Sequence, residues 1–215
     1  MVNRPTNIES IISGVERYNP ENLSALEEYL NTQCQNREYD LMANLAILKL
    51  YQFDPSLAKE QVIINILAKS LTAIPAPDFN LCLYLLSEQA NLETVKQLTS
   101  LQQFLEQSRY AKFWEAYATH KQLTTNVAGF EESIRSVIAN VVSMSHQVIN
   151  SKVLQSYLAL DGQSFNDFCA AQGWQVSGDV VTIPVNKDNE AKAVVITENI
   201  KFEQLTKVIG YSNEM

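Results

Sequence analysis

Over residues 8–146, apolar side chains recur at spacings of three and four, and no strand-like alternation interrupts them. A chain patterned this way folds as successive helices that each bury a stripe against their neighbours. Leu23, Leu26 and Leu30 form one stripe, with Glu27 and Glu28 expected to face water. Residues 39–53 differ: Leu41, Leu45 and Leu48 share one side while Met42, Ile47 and Leu50 occupy others, which predicts a helix enclosed by neighbours. Val62, Ile63, Ile66 and Leu67 make the next stripe, closed by Pro75 and Pro77. Leu98, Leu101 and Leu105, then Phe113, Trp114 and Tyr117, continue the series.

Local chemistry marks where helices begin. Asn19 before Pro20, and Asp54 before Pro55, each set a side-chain acceptor ahead of a residue that lacks the N–H a first turn cannot use, so helices are predicted to start at both places. Asp78 is predicted to cap the helix that carries Leu81 to Leu86. Short helices with short connections stack into a HEAT-like helical-repeat layer. The repeat is structural, since no fixed-period motif of the tetratricopeptide or ankyrin kind is present.

After Gly129 the pattern changes. A long stripe of Phe130, Ile134, Val137, Ile138 and Val141 leads to short helical segments at residues 153–158 and 165–171. Gly173 and Trp174 follow, and residues 175–185 hold Ser177-Gly178-Asp179 between short apolar runs, the chemistry of a β-hairpin. Three helices and a two-stranded hairpin describe a winged helix. The expected organisation is a helical-repeat domain over residues 1–128, a winged-helix domain over 129–190, and a C-terminal segment over 191–215 with a short amphipathic helix. Residues 186–191 read as a turn, and residues 194–196 suit either a third strand or a helix start.

Composition narrows the chemistry. Sixteen basic against twenty-four acidic residues give a net charge of −8, which repels phosphate backbones and anionic lipid. Cys34, Cys82 and Cys169 are odd in number and far apart, and match no metal spacing or disulfide framework, so they are expected to be reduced and buried. The opening Met-Val-Asn-Arg-Pro-Thr lacks the regions of a signal peptide. The most apolar stretch, residues 41–50, is about half the length a bilayer crossing requires.

His120 and His146 sit in no nucleophile or ligand motif, and the six glycines form no phosphate-cradling loop. Glu27-Glu28 and Glu131-Glu132 point in different directions around a helix and do not converge on one bond; the latter pair suits the positive end of the helix beginning there. No catalytic residue, cofactor or metal is expected.

A winged helix often reads DNA through its last helix. Between residues 151 and 185, however, Lys152 is the one basic residue, against Asp161, Asp167 and Asp179, and residues 163–172 contain no lysine or arginine. That removes the main source of nucleic-acid affinity.

Several ordered segments carry a family resemblance: Glu16-Arg17-Tyr18-Asn19-Pro20-Glu21-Asn22-Leu23, then Tyr39-Asp40-Leu41 through Leu50-Tyr51-Gln52-Phe53, then Phe113-Trp114, then Gly129-Phe130-Glu131-Glu132-Ser133-Ile134-Arg135. They resemble the k-subunit family of eukaryotic translation initiation factor 3. That family is similar in architecture to one subunit each of the proteasome lid and the COP9 signalosome, the PCI-like order of helical repeats followed by a winged helix. The resemblance implies a non-catalytic, cytoplasmic scaffold subunit, compatible with a nuclear pool, in the factor that prepares the small ribosomal subunit. Its partners would be the other subunits of that factor, chiefly the l subunit, with the ribosome reached through the complex and no direct nucleic acid or membrane contact. A lid or signalosome subunit and a winged-helix nucleic-acid regulator are the alternatives.

Two features suit partner binding. The hairpin edge, with Val180, Val181, Ile183 and Val185, is expected to accept a partner's strand up to the limit set by Pro184, and Phe202, Leu205, Val208 and Ile209 form a terminal stripe too short to be stable alone.

Overall fold

The computed structural model describes residues 4–191 and 202–213. Helices α1 (Thr6–Ser13), α2 (Leu23–Asn36), α3 (Leu41–Phe53), α4 (Glu60–Leu71), α5 (Asp78–Leu85), α6 (Glu93–Glu106) and α7 (Tyr110–His120) form the predicted layer. The predicted stripes supply its core: Leu26 and Leu30, Ile63, Ile66 and Leu67, Leu98 and Leu101, and Phe113 are all buried. Helix α4 packs against α2, α5 and α6, which makes it the axis of the layer.

The capping expectations fare unequally. Asn19 accepts from the Glu21 N–H, but the turn it starts is a 3-10 helix, Pro20–Asn22, that hands over to α2. Asp54 likewise opens only the 3-10 turn Pro55–Leu57, after which Ala58 is extended and α4 begins at Glu60. Asp78 is not a cap. It lies inside the first turn of α5, buried, with Pro77 at the cap position and no capping hydrogen bond. The cap that sequence reading passed over is Asp40, whose carboxylate accepts from the N–H groups of Met42 and Ala43.

Glu27 also departs from expectation. It accepts from the Tyr51 hydroxyl at 2.6 Å and pairs with Lys59 at 2.5 Å, tying α2 to α3 and to the start of α4. Glu28 is exposed as predicted.

The second half begins with α8 (Phe130–Ser145), followed by β1 (Val148–Asn150), α9 (Ser151–Leu158), α10 (Gly162–Ala171), β2 (Gln175–Ser177) and β3 (Val180–Thr182). Gly129 ahead of α8 has φ +68°, a left-handed conformation open to glycine. Gly178, φ +58°, serves the hairpin turn in the same way. The sheet has three strands in the order β1-β3-β2, all antiparallel, with Ile149 opposite Val181 and Val176 opposite Val181 on the other side. Residues 186–191 form a turn in which Asn186 and Asn189 bond each other and reach back to the Ser143 and His146 carbonyls at the end of α8. Residues 194–196 lie outside the described part of the chain. Helix α11 (Phe202–Asn213) is the amphipathic terminal helix.

One apolar core runs through both halves, from Ile8 to Ile183. At the seam, the Trp114 indole N–H donates to the Tyr157 carbonyl at 2.7 Å, and Arg135 lies 5.0 Å from the Trp114 ring while donating to the Leu158 carbonyl at 2.9 Å. The guanidinium thus satisfies the end of α9 and covers an indole face together.

Candidate partner-binding surfaces

The hairpin does not present the edge that was predicted. Strand β3 is central, so its backbone is paired on both sides, and the edges are β1 and β2. Val181 and Ile183 alternate inward and are buried in the core, which removes them from any partner surface in the folded chain. Val180 points to the outer face and is exposed, and Val185, past Pro184, is 63% exposed. The register sets Val148 of β1 diagonally beside Val180 on that outer face, since Asn150 opposes Val180 and Val148 opposes Thr182. Val148 is exposed, as is Val176 at the rim of β2. Sequence reading missed both, because a three-residue strand is too short to show period-two alternation.

On α11, Leu205 and Ile209 stand one turn apart and are 44% and 57% exposed, an apolar pair presented to solvent. The side chains of Phe202 and Val208 lie outside the described residues.

The winged-helix recognition position is occupied by α10. Phe165 and Cys169 face the core, while the outer face carries Gln163 bonded to Asp167 at 2.6 Å, with Ser164 and Asn166 beside them. A groove of DNA would meet a neutral-to-acidic surface there, without the cations that bind phosphate.

The thiols are sealed. Cys34, Cys82 and Cys169 are all buried, and burial pushes each thiol upward, Cys82 to about 12. A thiol held protonated has little nucleophilic or metal-binding character. His146 shares a hydrogen bond with Ser145 at 2.7 Å and stands in no triad, and no metal-ligating cluster occurs among the described residues. Among those residues no helix is long and apolar enough to cross a membrane.

A second apolar surface lies on the helical layer. A groove of about 250 Å³ is lined by Ile12, Tyr18, Met42, Leu45, Ala46 and Leu85 together with Arg17 and Lys49.

Comparison with known proteins agrees with this architecture. The model of the CSN8/PSMD8/EIF3K family matches residues 57–195, which span the second half of the helical layer and the whole three-stranded module. The chain is 40% identical to Eukaryotic translation initiation factor 3 subunit K of Botryotinia fuckeliana, over 98% of this chain and 95% of that protein. It is 42% identical to the Pyricularia oryzae protein of the same name, over 96% and 92%, and 38% identical to that of Yarrowia lipolytica, over 98% and 96%. Near-complete alignment at such identity, with a family match across more than half of the sequence, means that the chain belongs to the CSN8/PSMD8/EIF3K family, on its translation initiation factor 3 subunit K branch.

Proposed function

We propose that the chain is a structural subunit of eukaryotic translation initiation factor 3 that works through protein contacts and performs no chemistry. The observation that carries this reading is the identity of 38–42% with initiation factor 3 subunit K proteins along nearly the whole chain. The buried, protonated thiols and the cation-poor outer face of α10 support it, because each removes one rival chemistry. The helical layer and the winged helix act as separate units of recognition on one core, bounded near residue 129.

The l subunit is the principal partner, held by the outer sheet face at Val180, by Val185 beyond the strand, and by the α11 pair Leu205 and Ile209, all exposed. A stable contact of this kind buries on the order of 1,200–2,000 Å². The small ribosomal subunit is reached through the assembled factor in the cytoplasm.

The test is an affinity pull-down of the tagged chain from its own cytosol with identification of stoichiometric partners. Recovery of the other initiation factor 3 subunits is expected. A proteasome-lid or signalosome set in their place overturns the reading.

A further inference from the structure

Helix α3 was expected to be covered all round, and the structure leaves one stripe of it open. Met42, Leu45, Lys49 and Phe53 follow one another at helical spacing along the same face, over about 16 Å of helix axis. Met42 is 47% and Phe53 60% exposed, although both are large apolar side chains. The neighbouring 3-10 turn Val15–Tyr18 adds Tyr18, whose ring lies 6.2 Å from that of Phe53. Contiguous exposed apolar surface of this sort marks an interaction site.

The two cations of the lining say what the occupant must carry. Arg17 lies with its guanidinium 4.9 Å from the Tyr18 ring, and Lys49 with its ammonium 5.0 Å from the Phe53 ring. Lys49 donates to the Gln52 side chain at 2.8 Å, but among the described residues neither cation pairs with a carboxylate. Arg17 lines the groove, and its Nε is buried without a hydrogen-bond partner. A buried donor without an acceptor is costly, and a carboxylate is the acceptor that best fits a guanidinium. In a chain of net charge −8, two cations without a carboxylate partner among the described residues, beside an open apolar stripe, form a local site of opposite sign.

We infer that this groove receives an amphipathic helix of a partner protein, its apolar side chains on the Met42–Phe53 stripe and an Asp or Glu of the same helix bonded to Arg17 and paired with Lys49. The stripe accommodates about three turns of helix, which matches the helix-in-groove mode of recognition. The inference does not depend on which assembly the chain joins.

Photo-crosslinking tests it, with p-benzoylphenylalanine in place of Met42 in the full-length chain, irradiation in living cells, and mass spectrometry of the linked peptide. The expected peptide comes from another protein and carries an acidic residue within one helical turn of the linked position. Combined Arg17→Glu and Lys49→Glu substitution is expected to lower the crosslink yield about tenfold with the melting temperature unchanged. Should the double variant melt lower, Lys49→Glu alone, which forfeits the Gln52 hydrogen bond and the contact with the Phe53 ring, is expected to reduce the yield severalfold. A link to residues 202–213 of the same chain, a link to a second copy, no link at all, or a yield indifferent to charge reversal in a folded variant overturns the inference. Recovery of initiation factor 3 subunits without any such crosslink leaves the proposed function standing and removes the groove from it.

Discussion

Asp40 joins three parts of the chain with one carboxylate. It receives the Arg4 guanidinium through two nitrogens, caps the first turn of α3, and lies 3.5 Å from the Tyr29 hydroxyl, while its own N–H donates to Gln33 at 2.8 Å. It is buried, so removing it takes from Arg4 its buried partner, leaving the exposed Glu9, and loses a cap as well. Asp40→Ala is expected to destabilise the fold by about 3 kcal/mol, read as a lower urea midpoint with an unchanged slope. Glu131 offers a pH-dependent counterpart. Lys121 at 2.8 Å and Arg135 at 3.2 Å hold its carboxyl below the ordinary value of 4.5, with Lys121 the larger cause. A carboxylate whose acidity is raised by folding stabilises the native state above its unfolded pKa, and that stabilisation fades as pH falls through the folded value. The stability gap between the natural chain and Glu131→Gln is therefore expected to be present at neutral pH and to close below pH 4.5. A gap that persists there would show that the ion pairs are not its source. These roles were not legible in the sequence, because Arg4 stands 36 positions from Asp40 and Tyr51 24 from Glu27.

Helices were legible where each has one apolar stripe, because that pattern is local and its burial needs only some neighbour. What is not local is the order of strands in a sheet. The hairpin Gln175–Ser177 and Val180–Thr182 was readable from its turn, yet β1, three residues long and remote in sequence, decides that Val180–Thr182 is the centre and not the edge. The same reason accounts for the open side of α3, since periodicity reports which faces are apolar and not which are covered. Gly129 makes an element-scale prediction. A Cβ there would be built on a φ of +68° and would meet the Arg37 guanidinium at 2.4 Å. The flexible Arg37 tip can yield, so backbone strain dominates, and Gly129→Ala is expected to cost about 1 kcal/mol, measured by thermal or urea unfolding. On α11, Leu205→Asp with Ile209→Asp is expected to abolish l-subunit capture in a pull-down while the circular dichroism spectrum is kept. Unchanged capture by the folded double variant would end the docking role proposed for that pair.

At the scale of the molecule, the continuous core and the Trp114–Tyr157–Arg135 seam predict that helical layer and winged helix unfold together. Trp114 stands at the seam itself, and Trp174 belongs to the winged helix. In Trp174→Phe, which keeps the seam intact, the fluorescence of Trp114 is expected to show a midpoint that coincides with that of the far-ultraviolet circular dichroism. Fluorescence and dichroism midpoints that part company would mean that the seam does not couple the halves. A thiol reagent is expected to label Cys34, Cys82 and Cys169 only along that same transition, since all three are buried. The sheet carries a further consequence. Its two outer strands, Val148–Asn150 and Gln175–Ser177, offer backbone pairing over three residues each. A ribbon so short is a poor template for copies of itself, so the chain can display valines on the sheet without seeding runaway stacking into fibres.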